Sequence, residues 1–376
     1  MSRPAIVQFN LSPTLGGAEV YTAFFTRALV QLGWPTRLVV DPAARFWDDL
    51  DLAGAERVAA DSGRRFVEDR EVALVHASLP ARQLGELDGC QVIGVAHQAV
   101  YDATRPGYYD HADILLAVSQ HVIDSLRRHR IDHVYPIPLY GVADLSRGGP
   151  SGELREGRLF DPDARKPRDR LMAAFARARA AFAAPRRFEP RSGLSLGVVS
   201  RLAPLKQFPE LFERLVPILV RHPRVNVDIF GAAVGYKPLA AMRSMLAPLG
   251  VRARFWGHQR DIRQAYGAID YLLTGLPERE ALGLNAIEAY AAGTPVLAID
   301  APPFTETLSE GVTGFFYADP RRDGGADFER VLSGIEDGAL RPRMDAATGH
   351  LAKFSASRFA QRVEQALQHI VAGRRI

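Results

Sequence analysis

The sequence has one cysteine, Cys90, in 376 residues. It can form no intramolecular disulfide and no cysteine metal cluster, which fits a reducing cytoplasm. Lysine is almost as scarce: Lys166, Lys206, Lys237 and Lys353 are the only four, so nearly all the positive charge is arginine. No stretch reaches the roughly 20 consecutive apolar residues that a membrane-spanning helix needs. The opening "MSRPAIVQFNLSPTLGG" has one arginine and an apolar run too short for a secretory signal, so the expectation is a chain neither exported nor membrane-spanning. Aromatics are 9% of the residues and do not alternate with arginines as in a base-stacking platform. A net charge of +4 is mild, and no nucleic-acid partner is expected.

What is present is the composition of a packed globular protein, 47% hydrophobic and 24% charged. The length exceeds what one core usually covers, so two domains are expected. Short apolar, β-rich runs alternate with helical periodicity throughout, the pattern of parallel sheets wrapped by helices. Strands are predicted over 5–11, 36–40, 73–77, 91–96, 113–118 and 133–138, with helices over 18–33 and 119–129. From 147 to 191 the texture turns polar and Gly/Pro-punctuated, with a short basic amphipathic stretch "LMAAFARARAAFAAPRR". Strands resume over 194–200, 225–231, 252–257, 269–275, 294–300 and 313–317. The last helix, over 355–373, carries Phe359, Val363, Leu367 and Ile370 as one apolar stripe.

The predicted fold is α/β with two Rossmann-like, doubly wound domains. The first spans 1–190, with a basic linker region over 147–191; the second spans 191–354; 355–376 returns as a helix to the first. Two such domains in series imply a cleft between them, the usual place for a ligand.

Three motifs carry chemistry. In "LSPTLGGAE", after the first strand, Gly16 and Gly17 let backbone amides come close to an anion ahead of a helix, or they form a plain tight turn. In "VVSRLAPLKQFPELFERL", Arg201 and Lys206 lie between a strand and a helix, a spacing that suits a pyrophosphate or a solvated surface pair. In "EREALGLNAIEA", Glu280 precedes a helix starting near Gly283, and Glu288 lies further along it. Glu280 can accept hydrogen bonds from sugar hydroxyls, Glu288 from a ribose, and the amides of Gly283, Leu284 and Asn285 can face a phosphate.

Arginine and lysine in R-x4-K, then E-x7-E with G-L inside it, then "AAGTPVLA", closely resemble the nucleotide-binding domain of the retaining glycosyltransferases of family 4 (glycosyl transferases group 1). "LGGAE", "VAHQ", "ILLAVSQHVIDSL" and "VTGFFYADP" are similar to that family too. The resemblance implies the GT-B fold and a metal-independent hexosyltransferase with no cofactor beyond its UDP- or GDP-sugar substrate. It implies that Arg201 and Lys206 hold the diphosphate, Glu288 the ribose and Glu280 the transferred sugar. Gly16 and Gly17 would border phosphate and acceptor. His97, which on its own reads as a structural hydrogen-bonder, would face the reacting centre. The acceptor would be a glycan or lipid-linked glycan in bacterial cell-surface polysaccharide or lipopolysaccharide synthesis, with the enzyme cytoplasmic and peripheral at the inner face of the membrane. The arginines over 147–191 would meet anionic lipid there, or form a solvated linker. Where the family has N-G-V-D the chain reads "YGVAD", and Pro277 replaces an expected serine.

Two other readings stand beside this one, a GT-B nucleotide-sugar epimerase and a non-catalytic nucleotide-sugar-binding subunit. Asp49-Leu50-Asp51 and Asp161-Pro162-Asp163 have the D-x-D spelling of metal-dependent transferases, but neither ends a hydrophobic strand. His129 and His133 straddle a helix-to-strand turn, so no metal site is predicted.

Overall fold

The structure, a computed structural model, describes residues 3–60, 66–68, 71–101, 105–143, 145, 153–163, 166–182 and 184–372. The chain forms two compact units, one of residues 1–143 with 351–376 and one of residues 144–350. No helix among the described residues is long and apolar enough to cross a membrane.

In the first unit the strands are β1 (Ile6–Asn10), β2 (Thr36–Val40), β3 (Glu56–Ala59), β4 (Val72–Val75), β5 (Gln91–Ala96) and β6 (Ile114–Ala117). They pair in parallel in the order β3-β2-β1-β4-β5-β6. β1 and β4 are buried along their whole length, as expected where helices cover both faces. The helix Gly17–Gln31 buries Val20, Tyr21, Phe24, Phe25, Ala28 and Leu29. The C-terminal helix Ala356–Ala372 packs against it, the Phe359 ring edge-on to Tyr21 at 5.4 Å and to Phe25 at 5.9 Å.

The second unit repeats the scheme. After a short strand β7 (Phe160–Asp161) come β8 (Leu194–Val199), β9 (Val225–Phe230), β10 (Ala233–Val234), β11 (Ala253–Gly257), β12 (Tyr271–Leu273), β13 (Val296–Ile299) and β14 (Gly314–Tyr317). Six of them make a parallel sheet in the order β11-β9-β8-β12-β13-β14, and β7 pairs with β10. Renumbered within each unit, both sheets run 3-2-1-4-5-6, the order of a dinucleotide-binding fold.

The structure departs from the sequence expectation in several places, the short pair β7 and β10 among them. The run 133–138 is no strand: Leu115 makes a single bridge to Val134, and Pro136 and Pro138 have no N–H to extend the ladder. β3 was not anticipated, because its residues Glu56, Arg57 and Ala59 are exposed on a sheet edge and leave no apolar run. The first unit also ends at Ala143 rather than 190. The polar segment expected as its linker is tied to the second sheet: the Gly157 amide donates to the Trp256 carbonyl at 2.7 Å and the His258 amide to the Arg158 carbonyl at 2.8 Å. Buried Asp169 adds to this by accepting from the amides of Asp163 at 3.0 Å and Tyr236 at 3.3 Å. Asp144 of "YGVAD", residues 147–152, 164–165 and 183 of the expected linker, and 373–376 lie outside the described residues.

Candidate functional site

In an open α/β sheet the strand order reverses at one point, and the loops leaving neighbouring carboxyl ends diverge there to leave a crevice. In the second unit this point lies between β8 and β12. The end of β8 delivers Arg201, followed by a 3-10 turn Pro204–Lys206. Gln207 then takes a left-handed conformation, φ 51°, to open the helix Phe208–Arg221, a geometry that a residue with a side chain holds only under local constraint. The end of β12 leads to Gly275, where an added Cβ would lie 2.9 Å from the Lys206 carbonyl oxygen. Glycine there lets the Lys206 turn sit down on the strand end.

Glu280 belongs to the loop that follows. Its Oε2 is 2.5 Å from Lys206 Nζ, and its Oε1 accepts from the amides of Ala281 and Gly283, both at 3.2 Å. Burial works against the charge of Glu280, but the Lys206 ammonium and these two amides outweigh it and hold the carboxyl below its ordinary range. The next helix, Leu284–Ala291, starts from Gly283 at φ 76°. A Cβ on Gly283 would also press on the Phe304 ring at 3.0 Å, so glycine is required there on both counts. The Asn285 amide nitrogen donates to the Val199 carbonyl at 3.3 Å, which fixes the helix start to the end of β8, two residues before Arg201.

Arg201, Lys206, Glu280, Gly283, Leu284 and Asn285 are thus gathered on one edge of one sheet. Glu288 follows on the same helix but is less open than the sequence suggested, at 7% exposure, and its Oε2 accepts from the Tyr266 hydroxyl at 2.9 Å. Spacing gave no hint of Tyr266, which comes from another helix, Ile262–Gly267.

The first unit has its own reversal point, between β1 and β4. Gly16 caps the helix Gly17–Gln31 with extended backbone, φ −154°, and a Cβ on Gly17 would meet nothing within 4 Å. At Gly17 neither a left-handed φ nor crowding explains the glycine, so the tight-turn reading lacks support there. His76 follows β4 and His97 follows β5. His76 Nδ1 lies 3.2 Å from His97 Nε2, and His76 Nε2 lies 3.1 Å from Gln8 Oε1. Burial drives the His97 pKa down to about 3 and that of His76 well below its ordinary value, with His97 adding to the latter. Sequence reasoning singled out His97 but missed His76 and Gln8, a buried polar residue in the middle of β1.

His129 and His133 are held separately, Nδ1 of the first 2.8 Å from the Ser125 carbonyl and Nε2 of the second 3.0 Å from the Tyr109 carbonyl. Asp51 lies 3.8 Å from Arg27, and Asp161 is 2.7 Å from Arg158.

Residues 193–333 match the family model described as Glycosyl transferases group 1. The D-inositol 3-phosphate glycosyltransferase of Nocardia farcinica is 34% identical over 172 residues, 43% of this chain and 38% of that protein. The phosphatidyl-myo-inositol mannosyltransferase of Mycobacterium tuberculosis (strain ATCC 25618 / H37Rv) is 28% identical over 163 residues, 42% of each. The matched region therefore spans less than half the length of these curated relatives. Among solved structures, Anabaena HepE in complex with UDP and glucose superposes with a TM-score of 0.68 over 97% of this chain and 100% of its own, at 16% identity. Sucrose-phosphate synthase from Thermosynechococcus elongatus does so with a TM-score of 0.68 over 99% and 100%, at 17% identity. At such identities the likeness establishes the fold.

Proposed function

We propose that this chain, whose residues 193–333 belong to the glycosyl transferases group 1 family and whose two doubly wound units have the GT-B fold, transfers a hexose-type sugar from UDP or GDP to a hydroxyl of a glycan or lipid-linked glycan. The observation that carries this reading is the 2.5 Å contact of Lys206 with Glu280 on the carboxyl edge of the second sheet, beside Arg201 and a helix start. A sugar diphosphate has the matching chemistry: a dianionic bridge for the cations and amides, hydroxyls for the carboxylate. The similarity to Anabaena HepE in complex with UDP and glucose, and to the glycosyltransferase of Nocardia farcinica and the mannosyltransferase of Mycobacterium tuberculosis, supports it.

The reaction breaks the bond between the anomeric carbon and the diphosphate oxygen. Charge grows on that oxygen, where Arg201, Lys206 and the first amides of the helix Leu284–Ala291 would stabilise it. Glu280, kept ionised by Lys206, would accept from hydroxyls of the transferred sugar, and Glu288 from the ribose. The acceptor oxygen attacks from the face the diphosphate leaves, a diphosphate oxygen takes its proton, and configuration is retained. Because protein cations and amides meet the charge, this reading requires no metal, and turnover is expected to persist in EDTA.

Thermal-shift screening against UDP- and GDP-sugars, followed by product mapping, tests the proposal. Arg201→Ala is expected to lower kcat by about 10²–10³ with the fold retained. Release of a free epimer without any acceptor would indicate the epimerase reading instead, and tight nucleotide-sugar binding without turnover the binding-subunit reading.

The same reading places the enzyme on the inner face of the cytoplasmic membrane, acting in cell-surface polysaccharide or lipopolysaccharide synthesis. The helix Pro167–Phe182 supports a membrane contact: Leu171, Phe175 and Phe182 fall on one face and are 57%, 62% and 92% exposed, with Arg170 and Arg177 exposed alongside. Flotation with anionic vesicles is expected to be salt-sensitive and to weaken in Phe175→Ser/Phe182→Ser; equal flotation with neutral vesicles would contradict an electrostatic contact.

A further inference from the structure

The histidine pair of the first unit sits at the end of a buried hydrogen-bond chain whose direction can be deduced. Thr26 Oγ1 lies 2.8 Å from the Thr22 carbonyl and Thr36 Oγ1 3.3 Å from the Ile6 carbonyl, so each hydroxyl proton has a carbonyl to go to. Both hydroxyl oxygens then serve as acceptors, and the Gln8 amide nitrogen faces both, at 2.9 Å from Thr26 and 3.4 Å from Thr36. This orients the amide with Oε1 toward His76. An amide oxygen cannot donate, so the proton between them belongs to His76 Nε2. A neutral imidazole with Nε2–H has a bare Nδ1, which must accept from His97 Nε2–H. His97 is then left with a bare Nδ1, and that atom makes no hydrogen bond among the described residues.

The reversed chain is poorer. Turning the Gln8 amide over would take both threonine protons from their carbonyls, reverse both histidines and leave one amide N–H of the fully buried Gln8 without an acceptor. The rings are also held in orientation, His97 edge-on to Tyr21 at 5.0 Å and His76 edge-on to Phe25 at 5.5 Å, and Phe359 backs both aromatics.

We propose that Gln8 and His76 are positioning residues that lock His97 in its Nε2–H tautomer, so that Nδ1 offers a fixed lone pair to a sugar hydroxyl at the carboxyl edge of the first sheet. The inference rests on the glycosyl-transfer reading for the identity of the hydroxyl, but the tautomer itself does not depend on that reading. His97 in this state accepts a hydrogen bond and cannot donate one through Nδ1, which selects for a hydroxyl over a carbonyl or phosphate oxygen at that point.

Long-range 1H–15N correlation on the 15N-histidine-labelled full chain reads the tautomer directly, the His97 signals being assigned by their loss in His97→Gln. The expected result near neutral pH is a protonated Nε2 and a bare Nδ1 on both His76 and His97. A protonated Nδ1 on His97 in the unaltered chain would overturn the proposal whether or not the chain transfers sugar. Gln8→Leu removes the acceptor that orients His76; His97 is expected to change tautomer, with kcat/KM for transfer falling about tenfold or more and Thr26→Ser retaining both. A folded Gln8→Leu with the original tautomer and full activity would also overturn it. Should Gln8→Leu fail to fold, the spectrum of the unaltered chain decides alone.

Discussion

Lys206 and Glu280 explain how a largely buried carboxylate stays charged. Burial alone would push the Glu280 carboxyl up; the ammonium at 2.5 Å and two backbone amides outweigh it and favour the charged form. A carboxyl held low in the fold contributes stability above its unfolded pKa, and that contribution disappears as pH falls through the folded value. Lys206→Met should therefore raise the Glu280 pKa, measurable by 13C NMR of the side-chain carboxyl, and an unchanged value would show that the amides suffice. The histidines act with the same overall sign. His97, lowered to about 3 from 6.5, binds fewer protons in the fold than in the unfolded chain throughout that interval, so stability rises with pH across it. Urea midpoints are expected to fall steadily from pH 7 toward pH 4, and His76→Gln/His97→Gln should flatten that limb.

Among the elements, those carried by period and apolar content were legible in the sequence, and those carried by backbone pairing alone were not. β5 has the predicted limits, and β1, β8 and β9 fall within one residue of theirs, because buried Val, Ile, Leu and Phe residues mark them. β3 and the two-residue pair β7 and β10 lie where pairing, not composition, decides. In the candidate site, the R-x4-K and E-x7-E residues fall at one sheet edge because the first motif spans one loop and the second a loop with the start of the helix it leads into. Tyr266 and His76 were invisible because they arrive from elements distant in sequence. Glycines also divide this way. Gly283, at φ 76° and 3.0 Å from Phe304, starts the helix that presents Leu284 and Asn285. Gly283→Ala should cost about 1–2 kcal/mol from the left-handed backbone alone, read by chemical denaturation; a neutral result would mean that the loop has another way to turn.

At the scale of the whole chain, the same strand order appears twice, and each copy carries a cluster of polar residues on strands at or next to its reversal point. The chain's end serves the first copy: the helix Ala356–Ala372 belongs to that unit and puts Phe359, 1% exposed, against Tyr21 and Phe25. Phe359→Ala should destabilise that unit by about 3–5 kcal/mol through the lost contacts and the cavity left behind, and should loosen the aromatic wall behind His76 and His97. The second unit carries the proposed grip on the sugar nucleotide. Calorimetric titration of the full chain with UDP- and GDP-sugars tests this most directly. One nucleotide sugar is expected to bind at one site per chain, with affinity at least tenfold weaker in both Arg201→Ala and Lys206→Ala; binding that is unaffected by either substitution would contradict the account.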